Sequence, residues 1–325
     1  MKNVLNLKRF FVLAFIAFAG ISCSNDESST PTPTDNSITG IASRNADLSI
    51  LVKALTKAGL ATTLQGTGPF TVFAPTNQAF IDAGFSATVI DNLPESEIAG
   101  LKEILLNHVV SGAVQSTALQ NNSYIKTLAK GSASATNTLS MYVSTSAGVK
   151  LNGVATVTTA NVIASNGVVH VVDKVITLPT IATHAIANTN FSTLVSLLAR
   201  PGQPNYAEAL SGTAGSPYTV FAPINAAFTD LNTELAGSGG IAGVSANNIT
   251  KVLQYHVVGG ANVLSSTLTE GQVVTPLLAH NFTIQLTGSA KIKDVNNRIS
   301  NIIAVDVQCS NGVIHALDKV LLPTL

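Results

Sequence analysis

Thr71-Val72-Phe73-Ala74-Pro75-Thr76-Asn77-Gln78-Ala79-Phe80 returns 148 residues later as Thr219-Val220-Phe221-Ala222-Pro223-Ile224-Asn225-Ala226-Ala227-Phe228, with eight of ten positions identical. So close a match at that separation marks a duplication. A period of about 150 residues is too long for a solenoid and fits two whole domains in tandem.

The repeat extends outward from this decamer. His108-Val109-Val110 recurs at the same offset as His256-Val257-Val258. Asn166-Gly167-Val168-Val169-His170-Val171-Val172-Asp173-Lys174-Val175 recurs as Asn311-Gly312-Val313-Ile314-His315-Ala316-Leu317-Asp318-Lys319-Val320, at an offset of 145. The second copy has therefore lost three residues in between. Each closing segment then runs to a proline, Pro179 or Pro323.

Within the decamer, Thr71-Val72-Phe73 is short, apolar and β-prone and reads as a buried strand that Ala74-Pro75 breaks. Asn77 is placed to cap a new helix anchored by Phe80, and Asn225 and Phe228 repeat the arrangement after Pro223. Position 76 changes from threonine to isoleucine between copies, so the cap is expected from the asparagines. Upstream, Leu48, Leu51, Val52 and Leu55 form one helical stripe that Gly59 stops. Phe191, Leu194, Val195 and Leu198 repeat it, followed by the insert Arg200 to Pro204. Downstream, Leu101, Ile104 and Leu105 share a stripe with His108, as Ile249, Val252 and Leu253 do with His256.

The rest of each copy is strand-like. Leu139, Met141 and Val143 alternate, as do Phe282, Ile284 and Leu286, which predicts one buried and one wet face. Asn152-Gly153, Asn166-Gly167 and Asn311-Gly312 read as hairpin turns. Helices first and strands afterwards predict an α+β domain with an antiparallel sheet.

These ordered motifs, twice over roughly residues 37 to 325, resemble the fasciclin (FAS1) domain. The resemblance implies a β-wedge of two antiparallel sheets with packed helices, in two copies: 37–179 and 180–325. In eukaryotic members of that family a Tyr-His pair is implicated in receptor binding. Tyr255-His256 matches it, whereas the first copy has Asn107-His108. The alternative is that Tyr255 packs internally with its hydroxyl hydrogen-bonded.

No nucleophile elbow, phosphate loop or zinc-protease motif is present, and no Cys-x-x-Cys pair. Gly237-Ser238-Gly239-Gly240 reads as a flexible loop, since no strand leads into it. The repeated histidines are the chemical candidates: His108 with His170, and His256 with His315. A histidine on an apolar stripe is either a core residue with both nitrogens hydrogen-bonded or a ligand. Asp173 and Asp318 follow their histidines by three residues, on the opposite strand face, and are expected to fix the strand ends. His184 and His280 occur once each and read as surface or linker residues. Phe73, Pro75, Asn77, Phe80, His108, His170 and Asp173, with Phe221, Pro223, Asn225, Phe228, His315 and Asp318, are expected to be structural. No metal, cofactor or catalytic residue is expected.

The 325 residues carry 17 basic and 17 acidic side chains, only 10% charged, with 46% hydrophobic and no tryptophan. That balance gives no footprint for nucleic acid. Lys2, Lys8 and Arg9 precede the apolar run Phe10 to Ala19, which is too short for a lasting membrane span. Gly20-Ile21-Ser22-Cys23 then resembles a bacterial lipoprotein signal. Residues 1–22 would be removed and Cys23 would carry the lipid, with Gly20 where leucine is usual. An ordinary secretory signal is the alternative. Loss of residues 1–22 leaves 14 basic against 17 acidic groups. Ser24-Asn25-Asp26-Glu27 resembles the export signal of surface lipoproteins of Bacteroidota, or is a solvated linker. Residues 23–36 are expected to be an extended tether. With Cys23 lipidated, Cys309 stands alone as a core-facing thiol.

The fasciclin and lipoprotein resemblances together imply a lipid-anchored envelope protein acting in adhesion or extracellular binding, with a surface protein or polysaccharide as ligand. The chemically distinct alternatives are a periplasmic structural protein and a glycan or small-molecule binder.

Overall fold

The two signature motifs of each copy lie side by side. The decamer begins on strand β1 (Phe70–Pro75), and β2 is Val109–Ser111. The first copy continues with β3 (Ser123–Gly131), β4 (Ser134–Ser144), β5 (Lys150–Leu151), β6 (Ala155–Ala164) and β7 (Gly167–Val172). β1 pairs in parallel with β7, so that Phe73 stands opposite His170. Every other ladder of the copy is antiparallel, and the seven strands close in sequence order. The α+β class and the tandem wedge hold, with one parallel pair added to the expected antiparallel sheets. The computed structural model describes residues 34–325. The expected signal 1–22, Cys23 and the acidic residues after it lie outside the described residues. Of the expected tether, Asp35 and Asn36 already belong to the fold: Asn36 accepts a backbone hydrogen bond from Ser165 (2.9 Å).

The second copy supplies β8 (Tyr218–Pro223), β9 (Val257–Gly259), β10 (Val273–Val274), β11 (Phe282–Gln285), β12 (Lys291–Lys293), β13 (Ile299–Cys309) and β14 (Gly312–Leu317). Its seven strands run in the order β10-β11-β12-β13-β14-β8-β9 without closing, and β14 pairs in parallel with β8. The difference follows from the hairpin arm: β3 and β4 have 9 and 11 residues, whereas β10 and β11 have 2 and 4. Pro276 follows β10 closely and cannot donate to a ladder.

β1 is apolar apart from Thr71, whose hydroxyl is hydrogen-bonded to Gly112 O, because both its faces are covered. Val72 and Ala74 join a core under the helices, and Phe73 joins the core inside the wedge. Val220, Ala222 and Phe221 divide in the same way. The strand runs on through Pro75 instead of ending before it. One long strand bends between the two sheets of each wedge: β6 at Asn161 (φ 61°) and β13 at Asp306 (φ 59°), each at a register shift.

The turn expected at Asn166-Gly167 is displaced by one residue. Ala164 pairs with Gly167, so Ser165-Asn166 form the turn and Gly167 opens β7. A Cβ at Gly167 would collide with the Phe70 carbonyl, and one at Gly312 with the Tyr218 carbonyl. These glycines therefore permit the parallel strands to start in register. Asn152-Gly153 forms the expected tight turn, with Val154 N–H donating to Leu151 O (3.0 Å). Gly237-Ser238-Gly239-Gly240 is not an open loop: Ala236–Ser238 is a 3-10 turn, and a short helix, Gly240–Gly243, follows.

The expected wet face of β4 is dry. Ser140 and Tyr142 are as buried as Leu139, Met141 and Val143, because domain 2 covers them. Gln308 N–H donates to Ser140 Oγ (3.0 Å), and Lys126 Nζ donates to Ser140 Oγ (3.0 Å) and Asp306 O (2.9 Å). Ala133 N–H donates to Ser310 O (2.9 Å) at the arm's tip. Asn188 Nδ2 donates to Tyr124 Oη (3.1 Å). The junction itself is no flexible linker: Thr180 and Thr183 form a reciprocal capping box on the helix Ile181–Ala187.

Candidate functional site

The repeated histidines converge on the β1–β7 seam and its equivalent. His108 follows the helix Glu95–Leu106, where terminal carbonyls lack intrahelical partners. Its Nδ1–H donates to Ile104 O (2.7 Å), and its Nε2 accepts from Ile176 N–H (2.8 Å). His256 does the same with Val252 O (2.7 Å) and Leu321 N–H (3.0 Å). Each histidine thus ties a helix end to the chain after the last strand. Burial pushes both imidazoles down to about 4, against the helix carbonyl that favours the cation. They are neutral at pH 7, with both nitrogens engaged.

His170 and His315 lock the bend. Nε2–H donates to Val114 O or Val263 O (2.9 Å each). Nδ1 accepts the backbone N–H of the bulge residue, Asn161 (3.3 Å) or Asp306 (3.4 Å). The rings stack on the decamer phenylalanines, His170 on Phe73 at 5.3 Å and His315 on Phe221 at 5.4 Å. Burial lowers the pKa of both.

The aspartates stand apart from these histidines. Asp173 accepts from Thr156 N–H (2.6 Å), and Asp318 from Asn301 N–H (2.7 Å) and Asn301 Nδ2 (2.5 Å). Each holds the far end of the hairpin that its strand closes. Among the described residues no group of three or more His, Cys, Asp or Glu side chains is arranged to hold a metal ion. Cys309 is wholly buried, with its thiol against Val307 O (3.5 Å), and burial raises its pKa.

Asn77 and Asn225 do not cap their own helices. Thr76 Oγ1 caps the helix Asn77–Asp82 by accepting from Ala79 N–H (3.2 Å), and Ile224 leaves Asn225–Glu234 without a side-chain cap. Asn77 reaches back instead. Its Oδ1 accepts from Ile50 N–H (2.8 Å), and its Nδ2 donates to Ala46 O (2.8 Å) and Ser49 Oγ (3.0 Å). Asn225 repeats this on Thr193, Thr189 and Ser192. Both asparagines cap the start of an earlier helix across space, Ser49–Lys57 and Ser192–Leu198 respectively. Phe80 and Phe228 do anchor their helices in the core.

The Tyr255-His256 pair points inward. Tyr255 is 0% exposed and His256 4%. The Tyr255 hydroxyl donates to Asn281 O (3.1 Å) and accepts from Val295 N–H (3.2 Å), and its ring meets Phe282 edge-on at 5.8 Å. On the folded surface neither side chain is available to a partner. Asn107, its counterpart, is also buried and donates to Ile176 O (3.2 Å) and Thr177 O (3.0 Å).

Sequence reasoning missed two clamps. Asn166 Oδ1 accepts from Ile38 N–H (2.9 Å), and its Nδ2 donates to Leu64 O and Gly66 O (2.8 Å each). Asn311 does the same with Ile181, Leu210 and Gly212. Their recurrence in both copies was the available signal. His184, read as a surface or linker residue, is wholly buried in the domain junction with its ring edge-on to Tyr124 at 5.3 Å. Neither ring nitrogen meets a partner at hydrogen-bonding geometry, although the Ser140 backbone lies on that side. Burial, with Lys126 nearby, pushes it down to about 3.

The model of the family described as "Fasciclin domain" matches residues 46–179 and 189–323. The chain belongs to the fasciclin family. Protein sll1483 of Synechocystis sp. is 38% identical over 151 residues, covering 45% of this chain and 74% of the relative. Human periostin is 30% identical over 273 residues, covering 80% of this chain but 29% of periostin. The rabbit transforming growth factor-beta-induced protein ig-h3 is 28% identical over 269 residues, covering 80% of this chain and 35% of that protein. The chain thus spans about a third of these two animal relatives. Among solved structures, the FAS1 domain pair of fasciclin I, an insect cell adhesion molecule, aligns with a TM-score of 0.50 at 18% identity. It covers 85% of this chain and 97% of that pair, a likeness of fold.

Proposed function

We propose that this fasciclin protein is a binding or adhesion module of the bacterial cell envelope. It is exported by residues 1–22, lipid-anchored to the outer membrane through Cys23, and displayed on the cell surface. The observation that carries this reading is the junction between its domains. Hydrogen bonds between β3–β4 and domain 2, of which the one from Gln308 N–H to Ser140 Oγ is buried, and a capped helix in place of a linker hold the two copies as one head. Two sites held at fixed spacing engage a repeated ligand without the entropy cost of ordering a linker. The ligand, a surface protein or polysaccharide, contacts solvent-facing residues and not Tyr255 or His256, which lie inside.

Protease added to intact cells, beside a lysed control, tests the placement. Digestion of both domains on intact cells supports display. Protection until lysis puts them in the periplasm and favours a structural role there. A strain lacking the chain is expected to lose attachment to protein- or polysaccharide-coated surfaces, and regain it on complementation.

A further inference from the structure

Domain 2 contains space that domain 1 fills. Counting from the decamer, Ile90 and Leu93 correspond to Ser238 and Ile241. Ile90 lies on the helix Ala87–Asp91, wholly buried in the core under the helices. Ser238 lies in the glycine-rich turn and is exposed. The surrounding side chains register the loss. Phe80, Leu51 and Leu105 are 0%, 3% and 1% exposed, whereas Phe228, Leu194 and Leu253 are 4%, 7% and 6%.

Three hollows lie next to one another in this half of domain 2, each sharing lining residues with the next. The first, of about 90 Å³, is walled by apolar side chains including Leu235, Ile241 and Val244, and His256 is its only polar residue. A second, of about 30 Å³, shares Leu194, Pro223, Leu253 and His256 with it. A third, of about 350 Å³, shares Ala185, Leu198 and Leu210 with the second and opens beside Arg200. The insert Arg200 to Pro204, which the first copy lacks, builds that mouth. The Arg200 guanidinium donates to the carbonyls of Ile241 (3.3 Å) and Ala242 (3.0 Å). Among the described residues no carboxylate lies within ion-pair distance of it.

We infer that domain 2 binds a long-chain fatty acid, with its alkyl chain in the hollows and its carboxylate on Arg200. Dry apolar cavities take up apolar ligands, and the widest hollow has the size of a ligand site. The first two hollows are separated by a shared wall that includes Leu194 and Leu253, and an unbranched flexible chain suits small adjoining spaces of this kind better than a rigid ring system. Arg200 lines the third hollow and has no carboxylate within ion-pair distance among the described residues, so an anionic head complements it. This site is independent of the adhesive role proposed above.

The test is titration of the delipidated full chain carrying Cys23→Ala, so that no acyl group on the chain itself competes. Palmitate and hexadecanol serve as the two probes. Saturable binding of one palmitate is expected. Arg200→Gln is expected to weaken palmitate about tenfold while leaving hexadecanol within about twofold. Leu253→Phe, which fills the shared wall, is expected to abolish both. Three results would each overturn the site: no saturable palmitate binding, equal weakening of acid and alcohol by Arg200→Gln, or undiminished binding by folded Leu253→Phe. Should Leu253→Phe fail to fold, the exposed-side substitution Arg200→Gln decides alone.

Discussion

The two domains share their signature residues yet differ in how tightly the helical half packs on the sheet. The wedge interiors are matched, with Phe73 0% and Phe221 1% exposed. The helical halves are not, and the difference traces to a segment outside every repeated motif, where one copy has Ile90 and the other a run of glycine. Repeated motifs here fix the strand seam and its clamps. What separates the copies lies in the stretches between them.

The largest effect should be the same in both domains. Phe73→Ala and Phe221→Ala are each expected to cost about 3–5 kcal/mol in denaturant unfolding, because each empties the ring's place against a histidine. A loss below about 1 kcal/mol in both would mean that the decamer is not the core. Phe80→Ala and Phe228→Ala should differ. The domain 2 change is expected to cost at least about 1 kcal/mol less, since Phe228 already borders a void and forfeits fewer contacts. Equal costs would erase the distinction between the helical cores.

Acid should separate the domains next. A buried neutral imidazole takes up a proton less readily in the fold than in the unfolded chain. Stability is therefore full above about pH 6.5 and falls as pH drops below it. The fall continues to about 4 for His108 and His256, and to about 3 for His184. Each contributes up to roughly 1.4 kcal/mol per pH unit in its window. Domain 2 carries one more such group, so His184→Ile, the residue at the matching position 41, should flatten its acid loss. Unfolding curves between about pH 7 and about pH 4.5 check this, and an unchanged slope would remove His184 from the account.

Smaller effects concern the helix starts. Asn77→Ala and Asn225→Ala should each cost roughly 1–3 kcal/mol, as three groups lose a partner. Thr76→Ala should cost about 1 kcal/mol, the worth of one cap. Ile224→Thr should stabilise domain 2 by about 0.5–1 kcal/mol by supplying the cap it lacks. A neutral result for Ile224→Thr would mean that the cap at Thr76 contributes little either.

Much of this was legible in the sequence because duplication filters noise. A residue kept at the same place in both copies must satisfy the same geometry twice, and the strand seam, the histidines and the fold class follow from that. The asparagine cap was misassigned because local spacing cannot see a helix 27 residues upstream, where Asn77 in fact bonds. The dry face of β4 and the burial of His184 were invisible for a related reason. A strand's alternation reports one covered face, and no pattern within a copy says that the other copy covers the second.

The arm β3–β4 has a consequence for how such a gene can change. It belongs to domain 1 alone and reaches only toward domain 2, whose own hairpin is too short to reach onward. The copies are therefore not interchangeable beads. Exchanging their order would present the short hairpin to a surface shaped for the long one. Excising the second copy would bare Tyr124, Tyr142 and Lys126 to water. Recombination that shuffles single repeats freely in a loosely strung array would here yield chains with an uncovered seam, so the inherited unit is the pair.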